Sequence, residues 1–140
     1  MKKRILSIIS LLILISLFAV SCSEKGTDPT NTPNKGIQTY QGNWKVEGKG
    51  VNQSSISGTM TIASDGTITG NVPYLVSDGQ PITKDKITDK GNETYEINMS
   101  EYNMIYEFTF SSDNSGSFKI FVSAPGGNKY EGGSGTLTRQ

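Results

Sequence analysis

The chain has 140 residues, with 13 basic and 13 acidic side chains, no histidine and a single cysteine. Without imidazole, histidine-based nucleophile systems and histidine-ligated metals are excluded. One thiol permits neither an intramolecular disulfide nor a thiolate metal cluster.

Met1-Lys2-Lys3-Arg4 precedes the apolar run from Ile5 to Val20, and Ser21-Cys22 follows. This is the layout of a secretion signal: a basic start, a short apolar core and small residues where a peptidase cuts. The run is 16 residues long, short of the roughly 20 that a permanent spanning helix needs. Phe18-Ala19-Val20-Ser21-Cys22 resembles a bacterial lipobox, in which the cysteine is acylated (palmitate being the usual chain) and becomes the first mature residue. Ala19-Val20-Ser21 also satisfies the small-x-small pattern of an ordinary signal peptidase, but that cut would leave the chain's only cysteine beside it by coincidence. The expectation is therefore a signal peptide over 1–21 and a lipid on Cys22, with the membrane as a partner through that lipid. Ser23, where an aspartate would favour inner-membrane retention, points to a cell-envelope lipoprotein anchored in the outer membrane. Three basic residues leave with the signal, so the remainder carries 10 basic against 13 acidic groups, a net −3. That balance and the compartment argue against nucleic acid as a partner.

Residues 22–36 carry turn formers, Pro29 and Pro33, and no side chain able to join a core. They read as a flexible tether spanning about 20 Å on average. From Ile37 to Gln140 the apolar period becomes two, the signature of half-buried strands. Trp44 and Val46 share one face; Met60 and Ile62 follow. Asp65-Gly66 predicts a two-residue hairpin turn leading back through Ile68, Gly70 and Val72. Asp78-Gly79-Gln80-Pro81 is a further turn, with Pro81 suited to an edge or loop. The stretch from Ile82 to Lys90 is weakly patterned. Tyr95, Ile97 and Met99 alternate cleanly, as do Met104, Tyr106, Phe108 and Phe110, then Phe118, Ile120 and Val122. Gly132-Gly133-Ser134-Gly135 in the last strand predicts a bulge or sharp bend. The fold class is all-β: about eight strands in an antiparallel up-and-down meander closing into a small barrel, with a two-sheet sandwich as the alternative.

Gly42-Asn43-Trp44 opening the first strand and Arg139 ending the last resemble the lipocalin-like (calycin-type) barrels. That resemblance implies that Arg139 covers Trp44 and closes one end of the barrel. Residues 58–70 are similar to the second hairpin of avidin-type barrels, but the single tryptophan gives no ground for carrying biotin binding over.

The aromatic stripe of Tyr95, Tyr106, Phe108 and Phe118 could line a cavity, although an eight-stranded barrel can equally be filled by its side chains. Tyrosines at 74, 95, 102, 106 and 130 could orient a ligand or stand at a rim. Carboxylates are the remaining acid/base candidates. Glu96, Glu107 and Glu131 occupy out-facing positions, and Asp65, Asp78 and Asp113 lie in turns, with no facing pair. The reading is a non-enzymatic lipoprotein with no cofactor and no metal, whose lipocalin-like domain binds a small apolar ligand. The alternatives are a protein-interaction or hydrolase-inhibitor module, and a surface lipoprotein without ligand.

Overall fold

The computed structural model describes residues 35–124 and 126–140. The expected signal peptide, Cys22 and the tether up to residue 34 lie outside the described residues. Eight strands follow in chain order: β1 (Gly42–Lys49), β2 (Ser55–Ile62), β3 (Ile68–Asn71), β4 (Ile87–Gly91), β5 (Thr94–Met99), β6 (Met104–Ser112), β7 (Ser115–Ser123) and β8 (Lys129–Arg139). They form one antiparallel sheet in the order β3-β2-β1-β8-β7-β6-β5-β4. Each strand pairs with its sequence neighbour except across the β3/β4 connection, and β1 also pairs with β8. This is a meander curled into a half-barrel; a two-sheet sandwich is not formed. Its seam lies between β3 and β4, where no ladder runs.

The seam has a sequence cause. β3 is only four residues long, and the chain beyond it folds back on itself instead of pairing with β4. Val72 bridges Val76, Ser77 bridges Gln80, and Ile82 returns to bridge Ile68 on the edge of β3. Pro81, which has no N–H to donate, sits between these bridges, where the ladder is already broken.

The interior is filled unevenly and by complementary sizes. Across the sheet, Tyr95 on β5 faces Phe108 on β6, which faces Phe118 on β7. Phe118 then faces Gly135 on β8, and Gly135 faces Gly48 on β1. A Cβ added at Gly135 would strike the Glu47 carbonyl and the Phe118 ring. The bulky half of the sheet therefore closes over a glycine-lined half, which lets the sheet curl tightly around the rings. Tyr95, Tyr106, Phe108 and Phe118 are all at most 2% exposed. Burying side chains of this size contributes roughly 1.5–3 kcal/mol each.

The first hairpin turn differs from the sequence expectation of a two-residue loop. Ala63 N–H bonds the Thr67 carbonyl while Gly66 N–H bonds Ala63. The loop is thus three residues, with Gly66 alone at positive φ (87°), and Asp65 uses its carboxylate to accept the Thr67 N–H at 2.9 Å. A three-residue loop with glycine in the left-handed position matches strand twist as well as a two-residue one does. Between β4 and β5 a two-residue turn falls on Asn92 and Glu93, at φ 52° and 57°. The expected bulge in the last strand is present. The β7–β8 register jumps between Ile120/Gly133 and Phe121/Glu131, leaving Gly132 as the extra residue.

Candidate functional site

The two ends of the half-barrel differ, and the difference follows from local chemistry. At the first end, a 3₁₀ turn at Ile37–Tyr40 buries Ile37 and Tyr40 ahead of β1. Tyr40 stacks on Phe110 with ring centroids 3.9 Å apart and planes 8° from parallel. Trp44 meets Phe110 edge-on at 5.0 Å, and its indole N–H donates to the Tyr40 carbonyl at 2.8 Å. Tyr40 Oη donates to Glu93 Oε2 at 2.5 Å, joining the entry turn to the β4–β5 hairpin. Burial first, then the Glu93 contact, holds the Tyr40 hydroxyl well above the ordinary tyrosine range.

Arg139 completes this end. Its backbone pairs with Trp44, and its guanidinium carbon lies 6.0 Å from the Trp44 ring centroid. Nη1 donates to the Asp113 carbonyl at 3.1 Å, and Nη2 donates to the Gln41 carbonyl. The structure therefore brings Trp44 and Arg139 together over a sealed aromatic plug. A cation over an indole is worth about 0.5–1 kcal/mol when partly exposed. Nothing in this arrangement leaves room for a ligand: Trp44 is fully buried.

A recess lies at the opposite end. A half-enclosed recess of about 350 Å³ opens beside the seam, between the chain that follows β3 and the connection from β5 to β6. Its floor includes Val72, Val76, Ile82 and Met99, all buried. Tyr74 and Tyr102 stand at its rim, 54% and 53% exposed. Asn71, Ser77 and Gln80 supply neutral polar groups. Its two charged members, Lys86 and Glu101, face each other at 3.7 Å.

Tyr74 is held in place by its turn. Leu75 N–H bonds the Val72 carbonyl at 3.1 Å, with Pro73 second and Tyr74 third in the four-residue turn. Tyr74 has φ 65°. Proline second is common in such turns, but a positive φ in third place normally calls for glycine or asparagine. A bulky aromatic there is a true outlier. Below it, Tyr106 Oη donates to the Pro73 carbonyl at 3.3 Å. Burial first, then the neighbouring Tyr74, raises the Tyr106 hydroxyl above its ordinary range.

Of the stripe residues, Tyr106 touches the recess from beneath, through Pro73. Tyr95, Phe108 and Phe118 lie in the packed interior and do not line it. Burial raises Tyr95 to about 12, with Asp89 and Glu93 adding to it. Tyr130, the third exposed tyrosine, lies on β8 away from the recess. Sequence reasoning did not find Tyr40, Glu93 or Pro73. Tyr40 is placed by a contact with a residue 53 positions away, which no local pattern encodes. The Pro73-Tyr74 pair did carry a signal, a proline followed by an aromatic where a turn needs glycine. Among the described residues no three acidic, histidine or cysteine side chains gather as a metal site, and no helix is long and apolar enough to cross a membrane.

No family model matches the chain, and no curated protein matches it. Among solved structures it is similar to a redesigned β-barrel, b11L5F_LGL, at 22% identity and TM-score 0.47, covering 74% of this chain and 94% of that one. It is also similar to EF1p2_mFAP2b bound to DFHBI, at 20% identity and TM-score 0.46, covering 76% of this chain and 98% of that one. Neither likeness assigns the chain to a family.

Proposed function

We propose that the protein is a non-enzymatic binding module of the bacterial cell envelope, anchored through lipid on Cys22, which takes a small ligand in the recess at the seam. The single observation that carries the binding reading is this recess. Its volume is within the range of small-molecule sites, and one of its two exposed aromatic rims is kept in a backbone conformation that costs stability. Strain of that kind persists where the surrounding structure over-determines it and tends to mark ligand sites. The ligand sits at the rim of the half-barrel, since the rings of Tyr95, Tyr106, Phe108 and Phe118 occupy the interior themselves. A lipocalin-like lipoprotein with a filled core and a surface recess is the form this reading takes. The carboxylates stand on the outer face or in turns, which suits solvation and not acid/base work.

Native mass spectrometry of the protein purified from its own host tests the binding reading. A retained small molecule that is lost on replacing Tyr74 and Tyr102 by alanine is the expected result. A tightly held protein chain with no small molecule would instead favour an interaction module. The anchor is tested separately by labelling with palmitate: wild type should take up label and sediment with membranes, and Cys22→Ser should do neither.

A further inference from the structure

The geometry points to a neutral sugar chain as the ligand of the recess, an inference that rests on the binding reading above. The electrostatics come first. Lys86 and Glu101 are the charged residues of the lining, one of each sign, and they face each other at 3.7 Å. A fatty-acid carboxylate, a phosphate or an amine would meet one charge of each sign, so the lining offers no net countercharge to select it. This balance favours an uncharged ligand.

Polarity narrows it further. An entirely apolar ligand would leave the amide and hydroxyl groups that Asn71, Ser77 and Gln80 present along the lining unused. A ligand with hydroxyls can bond them. The rim asks for the opposite property: two tyrosine rings, Tyr74 and Tyr102, each more than half exposed. Tyrosine supplies a rigid amphipathic face at low entropic cost. A pyranose ring has both kinds of surface, C–H groups on its faces for a tyrosine ring and hydroxyls around its edge for amides. The recess is half-enclosed, so a chain of sugars can run through it without needing a free end.

The recess lies at the end of the half-barrel where β3 finishes at Asn71 and β5 at Met99, opposite the Trp44 plug, so both tyrosines of its rim are open to a long ligand.

The test uses the full chain in phosphocholine micelles, which carry no sugar headgroup. Cellotriose, maltotriose, xylotriose and mannotriose are titrated by calorimetry and by ¹H–¹⁵N spectra, with indole and benzoate as apolar and anionic probes. The expected result is saturable binding of at least one trisaccharide that shifts the amides of Tyr74 and Tyr102. Its affinity should hold between low and high salt, as befits a neutral ligand, and fall about tenfold in Tyr74→Ala and again in Tyr102→Ala. Tyr102→Ala keeps the test valid if the Tyr74 variant folds poorly. If indole or benzoate shifts the recess amides and no trisaccharide does, the sugar assignment is overturned while the binding site stands. If none of the probes shifts them, both readings are overturned.

Discussion

Replacing Tyr74 by glycine and, separately, by alanine isolates the strain at the rim of the recess. Both changes remove the ring and whatever burial it contributes, so the comparison between the two variants reports on the backbone alone. At φ 65° an L-residue with a Cβ carries a penalty of about 1–2 kcal/mol that glycine does not. Against this, glycine gives the unfolded chain more freedom, which costs about 0.4–1 kcal/mol relative to alanine. The balance leaves Tyr74→Gly more stable than Tyr74→Ala by roughly 0.5–1 kcal/mol, or roughly 2–5 °C in a domain of this size. Urea and thermal unfolding followed by the fluorescence of Trp44 measure it, since this buried indole is the chain's single tryptophan and lies at the far end from the substitution. At an ordinary negative φ the order reverses, with alanine ahead. Equal stabilities, or alanine ahead, would refute both the strained turn and the case that the ring is kept for a ligand.

Other perturbations have equally definite outcomes. Arg139→Ala removes the cation over Trp44 and the bonds to the Gln41 and Asp113 carbonyls. It should lower unfolding free energy by about 1–3 kcal/mol, with Arg139→Lys between it and wild type because one ammonium cannot reproduce the guanidinium fork. Gly135→Ala drives a Cβ into the Glu47 carbonyl and the Phe118 ring. A loss of about 3 kcal/mol is expected, and amide exchange along β1 and β8 should accelerate together. Stability should also fall at high pH. Burial keeps Tyr95 protonated up to about 12, and Tyr40 and Tyr106 are raised as well, while an unfolded tyrosine ionises near about 10. The folded state thus holds more protons than the unfolded one between these values. The tyrosine contribution is complete below about pH 10 and is lost as pH climbs toward 12. An unfolding midpoint that stays flat across that window would contradict the burial of these hydroxyls.

How far the sequence could be read depended on the range of the interactions involved. Alternation places Trp44, Val46, Tyr106, Phe108 and Phe118 inward because the side-chain period of a strand is a local property. The Gly132 bulge was legible for the same reason: a glycine cluster inside a strand has few other uses. What stayed hidden depends on chain segments far apart. Tyr40 is a plug because Glu93 and Phe110 come to meet it. The recess exists because four residues of β3 are too few to carry a ladder across to β4. Asp65-Gly66 misled on loop length, since its motif suits both two- and three-residue hairpins and only the hydrogen bond from Ala63 to Thr67 decides between them.

The opposed placement of plug and recess has a mechanical consequence. A molecule held near Lys35 and loaded at the recess is pulled roughly along its strands. β1, the first strand to feel that force, is zipped on one side to β2 and on the other to β8. Antiparallel ladder bonds lie across the strands, so the pull shears both ladders at once and does not peel them one bond at a time. Between these two points β1 is thus held by far more ladder than the four-residue β3 beside the seam, which is the weaker element under such a pull.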